Sequence, residues 1–175
     1  MRRLFLGAVV ALTMGGCATT VPAPGPASSF DPTDIAWLQL VVPMTENALA
    51  AARLAPDHAA SASVRAAAGS IVAPSERLLV RLKAARDRAG LPATEVHSGH
   101  RMPGMVTPAD LVALRTGDGP EFDRRLVALL RAHAAQLVVL AGGEQTSGAD
   151  AETRGLAREA AAEATRQQQA LATAA

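Results

Sequence analysis

The sequence predicts an all-α protein, a four-helix bundle built from two repeated helical hairpins joined by a long crossover loop. Three observations carry that expectation. Alanine dominates, β-branched runs are rare and tyrosine is absent, a composition that favours helices over strands. Apolar residues recur at spacings of three and four on both sides of a central irregular stretch. The two sides also align at a constant offset of 89 residues: Asp34-Ile35-Ala36-Trp37-Leu38 falls on Asp123-Arg124-Arg125-Leu126-Val127, Leu49 on Val138, Ala52 on Ala141, Arg65 on Arg154, Ala68 on Ala157 and Leu82 on Leu171. Neither hairpin can bury its apolar stripe alone, and packing the two together makes a bundle with one core.

The chain opens with a segment that is not expected to join this bundle. Arg2 and Arg3 precede an apolar stretch from Leu4 to Met14, which has signal-peptide length and is too short to span a bilayer stably. Met14-Gly15-Gly16-Cys17 then resembles a bacterial lipobox, so residues 1–16 are expected to be a lipoprotein signal peptide and Cys17 the lipidation site. The alternative is an ordinary signal peptide with an incidental cysteine. Cys17 is the only cysteine in the chain, which excludes an intramolecular disulfide, and it sits where acylation needs it. Acyl chains on one N-terminus hold a protein to a membrane at ~0.8 kcal/mol per buried CH₂. Residues 17–30 are rich in Pro, Ala and Ser and read as an extended tether. The expected location is the cell envelope, lipid-anchored and facing the extracytoplasmic side. Residues 31–175 are the helical domain.

The first helix should begin near Asp31 or Thr33, with Pro32 at a first-turn position where its missing N–H costs nothing. Its stripe is Ile35, Leu38, Val42, Thr45, Leu49 and Ala52, with Pro43 expected to bend it without ending it. Pro56-Asp57-His58 turns the chain, leaving His58 solvated. The second helix runs from about Ala60 to Ala89, with Val64, Ala67, Ile71, Leu78 and Leu82 facing inward, Pro74 as a second kink and Gly90-Leu91-Pro92 as its stop. Residues 90–106 lack periodicity. Thr107-Pro108-Ala109-Asp110 starts a short helix, with Thr as N-cap, Pro at N1 and Asp at N3. The third long helix is expected over Pro120–Ala141, carrying Phe122, Leu126, Leu129, His133, Leu137 and Leu140 on one face and ended by Gly142-Gly143. The fourth covers about Ala149–Ala172. Leu156 and Leu171 are its only large apolar residues, so its C-terminal end is expected to fray.

Several function classes are excluded or left without support. The 17 basic and 16 acidic residues become 15 and 16 once Arg2 and Arg3 are removed, and aromatic residues make up 2% of the chain, so no nucleic-acid partner is expected. A di-iron site of the ferritin type needs Glu-x-x-His on two helices, and that motif is absent. Glu46, Glu76, Glu144, Glu159 and Glu163 read as single charges on solvated faces. There is no Gly-x-Ser-x-Gly and no phosphate-cradling glycine loop. The protein is therefore expected to bind, not to catalyse.

The central stretch His97-Ser98-Gly99-His100-Arg101-Met102-Pro103-Gly104-Met105 carries the candidate chemistry. Imidazole suits both copper states and thioether sulfur suits Cu(I). His97 and His100 stand at i and i+3, as do Met102 and Met105, and a turn at Pro103-Gly104 would let them converge. Zinc would call for cysteine or another His or carboxylate, and calcium or magnesium for oxygens the loop lacks. The alternative is packing: Met102, Met105 and Val106 would cap the open end of the bundle, filling irregular gaps. His133 on an apolar stripe reads as a core histidine with a hydrogen-bond partner, and Met44 as a core methionine. Both are also candidate helpers to a metal.

These residues together resemble a bacterial extracytoplasmic family known as domain of unknown function 305. The resemblance rests on Asp34-Ile35-Ala36-Trp37-Leu38-Gln39, Ala52-Arg53-Leu54-Ala55, Val64-Arg65, the stretch from His97 to Asp110, and Gly119-Pro120-Glu121-Phe122-Asp123-Arg124. It covers roughly residues 31–172 and implies a ferritin-like bundle. The family typically has Ile-Pro-His-His in its first helix and a second His-His pair, followed by Met, in its third. Here these sites read Val42-Pro43-Met44-Thr45 and His133-Ala134, with Leu140 at the Met position, so this is a degenerate member. The family is linked to copper binding and resistance. Copper is thus the implied cofactor, resting on His97, His100, Met102 and Met105 with His133 and Met44 as helpers. The alternative is a metal-free structural or protein-interaction lipoprotein of the envelope.

Overall fold

A computed structural model describes residues 29–93 and 102–174. The signal peptide, Cys17 and the tether to residue 28 lie outside the described residues, as do His97 and His100. Among the described residues the fold is all-helical: α1 (Pro32–Ala52), α2 (Ala55–His58), α3 (Ala62–Arg88), α4 (Pro108–Arg115), α5 (Gly119–Ser147) and α6 (Ala151–Ala172). Helix α1 packs on α3, α5 on α6, and the contacts of α1 with α5 and of α3 with α6 join the two pairs.

Local sequence chemistry sets most of the boundaries. Asp31 caps α1 by accepting from the Thr33 and Asp34 amides at 2.8 and 2.9 Å, while the Asp34 carboxylate reaches back to the Asp31 amide. Thr107 and Asp110 form the same reciprocal box at the start of α4. Each box satisfies donors that a helix N-terminus otherwise leaves orphaned. Gly90 ends α3 at φ 68°, with its amide on the Asp87 carbonyl and that of Leu91 on Arg86.

The core is rich in alanine. One end holds Ala48, Ala52, Val64, Ile71, Leu114, Phe122, Leu126 and Leu130. The other holds Trp37, Leu38, Leu78, Leu82, Leu137 and Leu156, with Ala157, Ala160 and Ala164 of α6 supplying the face that lacks large side chains. The α6 stripe is therefore made of small residues.

Three boundaries and three side chains differ from the sequence reading. Helix α5 passes through Gly142-Gly143 to Ser147. Both glycines are exposed and each costs about 1 kcal/mol against alanine, but burial of Ala141 and Glu144 on either side holds the helix together. Helix α3 begins two residues later than expected, at Ala62, because Ser61 is its cap. The end of α6 is packed where the sequence pattern predicts a loose one: Leu171 and Ala174 are buried, and the Arg131 guanidinium donates to the Leu171 carbonyl at 2.7 Å. His58 is only partly exposed. Its Nδ1 lies 2.8 Å from the Asp118 carboxylate and its ring stacks on Phe122 at 5.4 Å. Glu144 and Glu163 are buried at 1% and 4% exposure. Glu163 joins α6 to α3 through Gln167, whose amide donates to Ser75 Oγ and to Glu163. Glu46, Glu76 and Glu159 are on the surface in ion pairs with Lys83, Arg53 and Arg81.

The offset of 89 residues reappears in the contacts. Asp34 of α1 accepts from the backbone amides of Ala149 and Asp150, just before α6. Asp123 of α5 accepts from those of Ala60 and Ser61, just before α3, at 3.2 and 2.9 Å. Subtracting 89 from Asp123, Ala149 and Asp150 gives Asp34, Ala60 and Ser61. Asp150 and Ser61 are in turn the N-caps of α6 and α3. The first helix of each half is thus fastened to the second helix of the other.

Candidate functional site

The second part of the crossover is pressed onto α5. The Met105 amide donates to the Met102 carbonyl at 3.2 Å, closing a turn over Pro103-Gly104. Gly104 sits at φ 72°, a left-handed conformation that favours glycine. It also lacks room for a side chain: a Cβ there would stand 2.5 Å from Gln136 Cβ and 2.7 Å from the Ala132 carbonyl oxygen. Val106 is fully buried, while Met102 and Met105 are half-buried on either side of the turn.

His133 lies directly beneath. It is 2% exposed, and burial pushes its pKa down to about 4, opposed by a hydrogen bond to the backbone of Gly104. The imidazole is therefore neutral at pH 7. Its Nδ1 has no partner among the described residues. The core-histidine expectation holds, and the partner is the candidate metal loop itself. Across on α1, Met44 is fully buried, and the buried Thr45 Oγ1 has no partner among the described residues. Met44 is the 89-residue counterpart of His133.

The structure thus brings the Met102–Met105 turn and His133 together. Met44 lies in the core of α1, which packs against α5. No group of three or more His, Cys, Asp or Glu residues stands ready to hold a metal among the described residues. The fit to copper rests on donor chemistry. A ligating histidine ordinarily bonds its second ring nitrogen to a backbone carbonyl or carboxylate, and it must be neutral to ligate. His133 meets both conditions with Nδ1 unused.

Sequence reasoning missed the buried carboxyl at the far end of α5. Glu144 stands between Asp34 and Gly148. The repeat gives no signal for it, because the counterpart of Glu144 in the first half is Ala55.

The model of the family called Domain of unknown function (DUF305) matches residues 34–175. The chain belongs to the DUF305 family. Among solved structures it resembles a DUF305 fragment from Deinococcus radiodurans, with 19% identity and a TM-score of 0.71, covering 82% of this chain and 95% of that one. It also resembles a DUF305 protein from Streptomyces coelicolor, with 20% identity and a TM-score of 0.69, covering 81% and 90%. At these identities the likeness speaks for the fold. No curated protein matches.

Proposed function

We propose that this DUF305 protein binds copper at the mouth of a ferritin-like bundle, using the crossover loop together with His133. The observation that carries the reading is the docking of Gly104 onto α5 at a buried, neutral histidine with a free Nδ1. Met102 and Met105, half-buried on either side of the docked turn, would supply thioethers, and His97 and His100 on the preceding segment would supply imidazoles. Such a donor set suits Cu(I). Met44 would contribute a sulfur from α1. The reciprocal contacts of Asp34 and Asp123 support two repeated hairpins as the scaffold. The role is buffering or passing the ion, with no catalytic step. A lipid on Cys17 would hold the protein at a membrane on the extracytoplasmic side. The Streptomyces relative, named as a candidate secreted protein, is consistent with that location.

A metal-free envelope role is the second reading, favoured by Val106, whose full burial beside the docked turn lets the crossover serve as a plug for the bundle. Titration of the purified chain with Cu(I) and Cu(II) separates the two. The copper reading expects at least about tenfold weaker binding, about 1.4 kcal/mol, in a variant carrying His97→Ala, His100→Ala, Met102→Ala and Met105→Ala. Equal binding by the two proteins favours the metal-free role.

A further inference from the structure

We propose that Glu144 and Asp34 form a latch closed by a proton: one proton held between the two carboxyls fastens the start of α1 to the α5–α6 turn, and its loss loosens that end of the bundle.

The geometry is specific. Asp34 is fully buried and its carboxylate is already engaged, accepting from the amides of Asp31 at 2.7 Å, Ala149 at 3.2 Å and Asp150 at 3.1 Å. Asp150 is likewise occupied, by Thr153 through its amide and hydroxyl at 2.8 Å and by Ser29 Oγ at 2.7 Å. Glu144, by contrast, has no donor within reach among the described residues. Both of its oxygens are buried without a partner as long as it is counted as a carboxylate, since two carboxylates cannot donate to one another. A proton on Glu144 supplies the missing donor, and its acceptor is Asp34.

Gly148 shows how closely the groups approach. A Cβ at that position would fall on the Glu144 carboxyl, 2.6 Å from its Cδ, and 2.9 Å from Asp34 Oδ1. In the other half the counterparts of Glu144 and Gly148 are Ala55 and Ala59. Where the carboxyl is absent, the glycine is absent too.

The charges around the latch all favour holding a proton. Asp31 and Asp34 face Glu144 from α1 and Asp150 from the start of α6. Arg88 at the end of α3 acts on Asp150 and pairs with Glu152. Burial and these carboxylates push Glu144 up to about 8, while hydrogen bonds to backbone amides hold Asp34 below its ordinary value despite burial. A metal fits less well than a proton, because Asp34 and Asp150 have their oxygens filled by N–H and O–H donors.

The sign follows from the raised value. Between an unfolded value of 4.5 and about 8 the folded chain holds a proton that the unfolded chain has released. Stability is full below the lower figure, falls as pH rises through the window, and is flat above about 8. The unfolding equilibrium constant rises by up to about tenfold per pH unit from this group alone.

The test uses the whole chain. A ¹³C-NMR titration of the Glu144 carboxyl in the unaltered protein should show a midpoint near 8, and hydrogen exchange at the Ala149 and Asp150 amides should lose protection through the same range after correction for base catalysis. Glu144→Gln, which keeps a neutral donor, should abolish that loss. A Glu144 midpoint near 4.5 would overturn the proposal. So would a Glu144→Gln protein whose amide protection falls with pH as the unaltered chain's does. The direct titration does not depend on the variant folding.

Discussion

Asp34 and Asp123 occupy the same place in the two halves of the chain and make the same backbone contacts, yet their surroundings differ. Asp123 is half-buried, with Ala55 and Ala59 at the neighbouring positions. Asp34 is fully buried beneath Glu144, with Gly148 making space. A second pair diverges in the same way: Met44 in one half is an apolar core residue, and His133 in the other is a buried imidazole that meets the crossover loop. What the halves share is the fastening of one helix start to the next. What distinguishes them is where ionisable groups were buried, and that is where the candidate chemistry lies.

The largest expected difference is between the two aspartates. Asp34→Ala leaves the buried Asp150 amide and the partly buried Asp31 and Ala149 amides without their acceptor and should cost about 3 kcal/mol, because hydrogen bonds to charged groups and orphaned buried donors weigh heavily. Asp123→Ala frees amides that water can reach and should cost about 1 kcal/mol. Urea unfolding measures both, and equal losses would erase the contrast. Next comes Gly148→Ala. It should destabilise by about 2 kcal/mol through overpacking, and most of that should return in a Glu144→Ala background. If the double variant shows no recovery, the carboxyl is not what excludes a side chain there. At Ala59, the matching position, replacement by glycine should change stability by less than about 1 kcal/mol.

The last comparison concerns His133, whose effect is expected in the pH profile more than in stability at neutral pH. His133→Leu should alter stability there by no more than about 1.5 kcal/mol. The pH profile, however, should change shape. His133 is lowered from 6.5 to about 4 on folding, so its contribution is complete above 6.5 and is lost as pH falls through the lower value. The leucine variant should lack that part of the acid limb, and thermal melts from pH 7 to pH 4 would show it. An unchanged limb would mean that His133 is not held neutral by the core.

Much of the fold was legible in the residues. Asp31, Thr107 and Gly90 act locally, so their caps and stops could be read from a few neighbours. The inward stripe of α3 follows from spacing alone; that of α5 does so in part, since Leu129 and Leu140 are only half-buried and Val127 and Leu130 are buried instead. The failures were non-local. A glutamate that will meet an aspartate 110 positions away looks in sequence like Glu46 or Glu159 on the surface. Two exposed glycines look like a helix end, although packing on both sides carries α5 through them. The alanines that bury α6 give little hydrophobic signal, so its last turn looked loose. At the candidate site, composition gave the donor types and the turn at Pro103-Gly104. That the turn would land on His133 depended on how the crossover closes over α5, and no local pattern encodes that.

The central functional claim is that the loop and His133 act as one site. It is tested most directly by titrating the ¹⁵N-histidine, ¹³C-methyl-methionine chain with Cu(I) and following His133 Nδ1 alongside the Met102 and Met105 methyls. The account predicts that all three move together with one apparent affinity. A metal that shifts the methyls while leaving the His133 ring untouched, or that shifts none of them, would contradict it.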